Sequence, residues 1–325
     1  MPNFFSRVIG HAAAKQVLTQ AVSHPRHGYM ITGVSGVGCH TLAEAFVRAL
    51  TNHPEPAPLL SHPDIILLER EMSESGKGLR KEISVKAVRE LRMRMSERPM
   101  KAARCVAYIS DGDALNEEGA NALLKSVEEP LAGAVFVFVA HDPSRMPKTL
   151  RSRLVTIHLE RVGDEEIEKW LQDICPTPHA PRPTPSLSDG RPGIALQYLT
   201  DESFRERMDR AKEVVDRLCS ATSVGEAFDA IADTASACDN AEDAVAEWRN
   251  AIHYWQAMLR VRFADVPSRA YDLARIFLIA ERRIGGPVSP RLWIELGFAH
   301  VFDGKSLPNP FFVPSRFPYE IEVRS

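Results

Sequence analysis

Residues 33–41 read Gly33-Val34-Ser35-Gly36-Val37-Gly38-Cys39-His40-Thr41, directly after an apolar run that begins at Tyr29. Glycines at this spacing, after a strand and before a helix, are the frame of a phosphate loop, GxxxxGKS/T. The frame constrains the fold: one strand must enter the loop, one helix must leave it, and βαβ units build a parallel sheet around that strand. In the full motif a lysine reaches the β- and γ-phosphates and a hydroxyl holds Mg²⁺. Here Gly33 and Gly38 keep the spacing and Gly36 adds freedom between them, but Cys39 stands at the lysine position and His40 at the hydroxyl position. Thr41 falls one residue late. The backbone keeps a turn shaped for phosphate, while the charge that phosphoryl transfer needs is missing. The expectation is weak nucleotide binding at best and no hydrolysis.

The first half alternates apolar runs with helical patterns, as parallel βαβ units do. Candidate strands are Tyr29–Gly33, Asp64–Glu69, Cys105–Asp111, Val135–Ala140 and Leu154–Leu159. The third and fourth are almost wholly apolar, the pattern of central strands covered on both faces. Ser84 is placed to cap a helix through Val85, Val88, Leu91 and Met95. A second helix runs from Asn116 to Val127 and is stopped by Pro130. From Cys175 to Pro192, prolines at 176, 178, 181, 183, 185 and 192 argue for an extended loop. Beyond Asp201 only helical periods remain: Phe204, Met208, Ala211, Val215 and Leu218; then Val245, Trp248, Ile252, Trp255 and Leu259; then Leu273, Ile276, Phe277, Ala280 and Ile284. Ser289-Pro290 is a cap and first-turn pair for one more helix. Trp248 and Trp255 share one helical face and read as core.

With 325 residues the chain exceeds one ordinary core. A net charge of -3 leaves nucleic-acid contact to a local patch. The start, MPNFFSRVIG, lacks a secretory apolar core, and no run is long enough to span a membrane. Five cysteines, widely spaced and without a CxxC pair, fit a reducing cytoplasm and argue against a disulfide framework or a zinc site.

Several segments together carry a family resemblance. Asn121-Ala-Leu-Leu-Lys125-Ser-Val-Glu128-Glu129-Pro130 resembles the NALLKxLEEP signature of bacterial clamp-loader subunits, which are AAA+ proteins. His141-Asp142-Pro143-Ser144, then Leu150-Arg151-Ser152-Arg153, resemble the approach to that family's SRC motif. Val8-Ile9-Gly10-His11 is similar to its N-terminal box. His62-Pro63-Asp64, residues Ile83–Leu91 and the tail Leu307–Pro314 resemble the delta-prime type in particular. The likeness is strong over the AAA+ half and architectural over the rest.

The resemblance implies an AAA+ domain with a degenerate phosphate loop and a parallel five-stranded sheet at 1–161, a small helical lid at 162–200, and an all-α collar at 201–325. It implies a subunit of a pentameric ring that includes gamma/tau-type motors and a delta subunit, opens a sliding clamp and places it on primed DNA. It also implies that Arg153, preceded by Ser152, enters a neighbour's ATP site as an arginine finger; the plainer reading of Arg153 is a surface ion pair. In active relatives the third strand ends in Asp-Glu. Here Asp111 either fits the metal-side acid or caps a turn, Gly112 replaces the base, and Asp113 either substitutes for that base one position late or, as favoured, is a turn residue. His40 and His141 have two readings, a meeting near the phosphate site and, favoured, plain polar surface. Arg191 stands one or two residues from the family's second-sensor arginine and reads first as a solvated loop residue. Leu154 replaces the motif's Cys, and a linker at Thr51–Ser61 replaces the family's zinc insertion, so no zinc and no required cofactor are expected.

A basic series, Arg89, Arg92, Arg94, Arg98, Lys101 and Arg104, reads first as a solvated face balanced by Glu90 and Glu97. Its second reading makes Arg89, Arg92 and Lys101 candidate contacts to DNA phosphates. Two rival functions stay open: a motor-type ATPase of the same ring, and a standalone DNA-binding or adaptor protein on an inactive AAA+ fold.

Overall fold

A computed structural model describes residues 4–73, 80–131, 133–175, 185–241, 243–262, 267–286 and 288–302. Prolines 176, 178, 181 and 183 of the expected loop, and the tail 307–314, lie outside the described residues. The chain divides into two compact units: Met1–Ala180 with Gly190–Ile194, and Pro181–Asp189 with Ala195–Ser325.

In the first unit α1 (Ala12–Ser23) precedes β1 (Gly28–Gly33), α2 (Cys39–Thr51), β2 (Ile65–Leu68), α3 (Val85–Met95) and β3 (Cys105–Ile109). Then follow α4 (Glu117–Glu128), β4 (Ala134–Ala140), α5 (Lys148–Arg151), β5 (Val155–Leu159) and α6 (Asp164–Ile174). The strands form one parallel sheet in the order β2-β3-β4-β1-β5. All five expected strands are present, and β3 and β4 are buried throughout, as continuous apolar runs require.

Alternate side chains go to opposite faces of such a sheet. Val135, Val137 and Val139 of β4 join Tyr29, Ile31, Leu42 and Phe46 in one core. Phe136 and Phe138 join Met30, Val88, Leu91 and Leu123 in the other, where Leu154 is also buried. The expected caps hold: Ser84 Oγ accepts from the Ala87 N–H at 3.2 Å, and Asn116 Oδ1 from the Gly119 N–H at 2.9 Å.

The second unit contains α7 (Pro185–Ser188) and, after the start of α8 (Pro192–Thr200), the helices α9 (Glu202–Ser220), α10 (Val224–Asp239), α11 (Ala244–Arg262), α12 (Pro267–Arg283) and α13 (Pro290–Phe302). Two details differ from the sequence reading. Pro185 opens a one-turn helix within the stretch expected to be extended, since proline fits the first helical position. Helix α10 carries no strong apolar period, yet Ser223 and Glu226 form a reciprocal cap: Glu226 N–H donates to Ser223 Oγ, and Thr222 N–H to Glu226 Oε2 at 2.6 Å. Trp248 and Trp255 are core residues, packed edge to face with centroids 6.3 Å apart.

Candidate functional site

In a parallel sheet every loop that follows a strand opens on the same edge. Here that edge gathers the loop after β1, Asp111 after β3 and His141 after β4. Gly33 is obligatory, because a Cβ there would stand 2.7 Å from the Leu159 carbonyl oxygen. Gly36 and Gly38 have φ of 86° and 111°, conformations that side-chain-bearing residues rarely adopt. The loop is tied down by three of its carbonyls. His141 Nδ1 donates to Gly33 at 3.0 Å, Gly193 N–H to Gly36 at 2.8 Å, and His11 Nε2 to Val37 at 3.0 Å. Arg191, expected in solvent, belongs to the turn that covers Gly36: its Cβ would lie 3.5 Å from a Cβ added there.

The loop carries no lysine, and its replacements supply no cation at neutral pH. Cys39 is buried at the start of α2, and burial pushes its thiol pKa up to about 12. His40 Nδ1 meets the Tyr108 hydroxyl at 3.1 Å. Its ring packs edge-on against His141 with centroids 5.5 Å apart, so the two histidines meet, the less favoured of their two readings. Desolvation, then the His141 charge, lowers the His40 pKa below its ordinary value; Asp111 and Asp113 oppose this only in part. Thr41 lies on the exposed face of α2.

The acidic positions are also committed elsewhere. Asp111 Oδ1 accepts from Arg70 Nε at 3.0 Å and lies 2.9 Å from Arg70 Nη2, while Ser110 Oγ donates to Oδ2 at 3.1 Å. A guanidinium thus compensates the carboxylate expected on the metal side. Gly112 is buried, and a Cβ on it would come within 3.0 Å of the Val139 carbonyl oxygen. A side chain here would need the β4 backbone to give by a few tenths of an ångström. Asp113 Oδ2 accepts from the Asp142 N–H at 3.1 Å, the turn role expected of it.

Arg153 lies on the opposite edge of the sheet. It precedes β5, which pairs in parallel with β1 from Tyr29↔Val155 to Gly33↔Leu159. A strand length therefore separates Arg153 from the loop, about 17–20 Å at the usual rise. On this edge Arg153 Nε and Nη2 engage Glu128 at the end of α4, and Nη1 engages the Thr149 carbonyl. Ser152 Oγ donates to Thr149 at 3.0 Å and lies 3.4 Å from Nη1. The Arg153 and Glu128 side chains are 37% and 42% exposed. The surface ion pair is therefore present in this chain.

The basic series is split. Arg89 and Arg92 on α3 line a groove of about 470 Å³ with Met93, Lys125, Ser126 and Leu131, and Arg89 pairs with Glu118 at 3.4 Å. Lys101 is not among the groove's lining residues. Its backbone N–H, with those of Met100 and Ala102, donates to the buried Asp64 carboxylate at 2.6–2.7 Å. Among the described residues, no three His, Cys, Asp or Glu side chains are grouped to share a metal ion.

Sequence reasoning missed Arg70, Glu128, Tyr108 and the anchoring role of His11. Only strand order would have exposed Arg70: β2 and β3 are neighbours, so their ends meet.

Residues 10–163 match the family model described as DNA polymerase III, delta subunit. The chain is 31% identical over 207 residues to the DNA polymerase III subunit delta' of Pseudomonas aeruginosa, covering 59% of this chain and 61% of that one. It is 28% identical over 207 residues to the subunit delta' of Escherichia coli, covering 59% and 60%. The subunit tau/gamma of Haemophilus influenzae is 27% identical over 227 residues, covering 66% of this chain and 31% of that protein. The chain thus spans about 60% of the length of the two delta' relatives. Among solved structures, a DNA polymerase III gamma subunit-related protein from Thermotoga maritima matches with a TM-score of 0.50 at 15% identity, covering 89% of this chain and 98% of that one. That last likeness is one of fold.

Proposed function

We propose, from the match of residues 10–163 to the DNA polymerase III delta-subunit family model and the likeness to two delta' subunits, that this chain is a non-hydrolysing clamp-loader subunit of the delta-prime kind. In this reading it joins a pentameric ring with gamma/tau-type motors and a delta subunit, and the ring opens a sliding clamp and sets it on primed DNA. The chain supplies Arg153 to the ATP site of an adjacent motor and hydrolyses nothing itself. The helices of the second unit serve as its collar, and Arg89, Arg92 and Lys101 are its proposed contacts to DNA phosphates. It needs neither zinc nor any other cofactor of its own.

One observation carries the reading: the phosphate loop and Arg153 occupy opposite edges of one parallel sheet. Arg153 cannot serve its own loop across a strand length, so the ATP it would stabilise must sit on another subunit. A finger arginine contributes about 10³–10⁵ in rate by neutralising charge on the transferring phosphoryl group. Its own loop supports the same division of labour, because neither Cys39 nor His40 provides a cation and Gly112 provides no base.

The tau/gamma likeness favours a second reading, an active motor. ATP turnover by the isolated chain separates the two. The scaffold reading predicts no turnover above background and weak nucleotide binding at best. Sustained Mg²⁺-dependent turnover, abolished by changing Asp111, would establish the motor.

A further inference from the structure

The partner of Arg153 comes from the other motif on which the family likeness rests. Glu128 ends α4, and its carboxylate faces the guanidinium from a helix 25 positions earlier in the chain. A guanidinium has five N–H groups in a planar fork. Glu128 engages the inner edge through Nε and Nη2, and the Thr149 carbonyl takes Nη1 from the far side. One hydrogen on Nη2 is left over, and the second on Nη1 meets only Ser152 Oγ at 3.4 Å, long for a hydrogen bond and open to exchange for a stronger acceptor. These two form the outer edge, whose spacing suits two oxygens of a phosphate.

We propose that Glu128 is a positioning residue for Arg153, holding its inner edge so that the outer edge is presented to the γ-phosphate of a nucleotide bound by the adjacent subunit. The inference rests on the finger reading of Arg153. Two effects of the carboxylate oppose each other. Its charge offsets part of the guanidinium's attraction for phosphate, and its Oε1, shared by Nε and Nη2, restricts a side chain that otherwise samples many rotamers. The pair is well exposed, so solvent screens the charge effect. The geometric restriction is not screened, and it dominates.

The test is a reconstituted loader containing the full chain, with hydrolysis stimulated by clamp and primed DNA and assembly followed by size-exclusion chromatography. Glu128→Ala should lower kcat about five- to thirtyfold while KM for ATP stays within about twofold. Glu128→Gln, which keeps an accepting oxygen, should recover part of the loss. Arg153→Ala with Glu128→Ala should be no slower than Arg153→Ala alone. In the isolated chain, the Arg153 Nε–H resonance should lose its protection from solvent exchange in Glu128→Ala. If Arg153→Ala loses hydrolysis but Glu128→Ala matches or exceeds the wild-type rate, Glu128 does not position the finger. If Arg153→Ala retains full hydrolysis in an assembled ring, the finger reading itself falls and this inference falls with it.

Discussion

At position 39 the chain holds a thiol kept protonated by burial where a phosphate loop would place an ammonium. Restoring that charge alone should not restore chemistry, because Asp111 remains paired with Arg70 and Gly112 carries no side chain to act as a base. Cys39→Lys with His40→Thr should therefore leave ATP turnover of the isolated chain at background, whatever it does to nucleotide binding. Asp64 shows the opposite economy, a single carboxylate organising a whole loop. Burial alone would raise its pKa, but hydrogen bonds from the Ala102, Met100 and Lys101 N–H groups outweigh that and hold it below its ordinary value. A depressed carboxylate pKa stabilises the fold above the unfolded-state pKa, and that stability is lost as pH falls through the folded value. Asp64→Asn should cost about 2–4 kcal/mol at neutral pH, read by chemical denaturation. The difference from wild type should shrink as the pH falls below the ordinary aspartate range. A constant difference across that range would mean that charge is not the cause.

Among the elements, the strands were legible because parallel strands buried on both faces must be continuous apolar runs, and their observed ends differ from the expected ones by at most two residues. The caps of α3 and α4 were legible because Ser84 and Asn116 act locally. Helix α10 was not, since its buried face is built largely from Ala227, Ala230 and Ala235, and alanine gives a weak period. The site divides in the same way. The glycine frame is a local pattern, whereas Arg70 meets Asp111 across 41 positions and Glu128 meets Arg153 across 25, through strand order and helix placement. Helix packing in the second unit makes its own prediction. A Cβ on Gly297 of α13 would stand 2.6 Å from Ile276 of α12, which is fully buried. Gly297→Val should destabilise that unit by about 1–3 kcal/mol, seen as a lower Tm. An unchanged Tm would show that the α12–α13 contact has slack.

On the scale of the molecule, a parallel sheet separates two features that an autonomous ATPase would use only in different sites. The loop edge keeps the backbone of a nucleotide site without its cation or its base. The opposite edge keeps a partly exposed arginine held by Glu128. In the proposed reading such a chain hydrolyses nothing alone and acts through a neighbour. The measurement closest to that claim is single-turnover ATP hydrolysis in a reconstituted loader, stimulated by clamp and primed DNA, comparing wild type with Arg153→Ala. The account predicts an intact ring in which hydrolysis at the adjoining site falls by about 10³ or more. An intact ring with an unchanged rate at every site would contradict it.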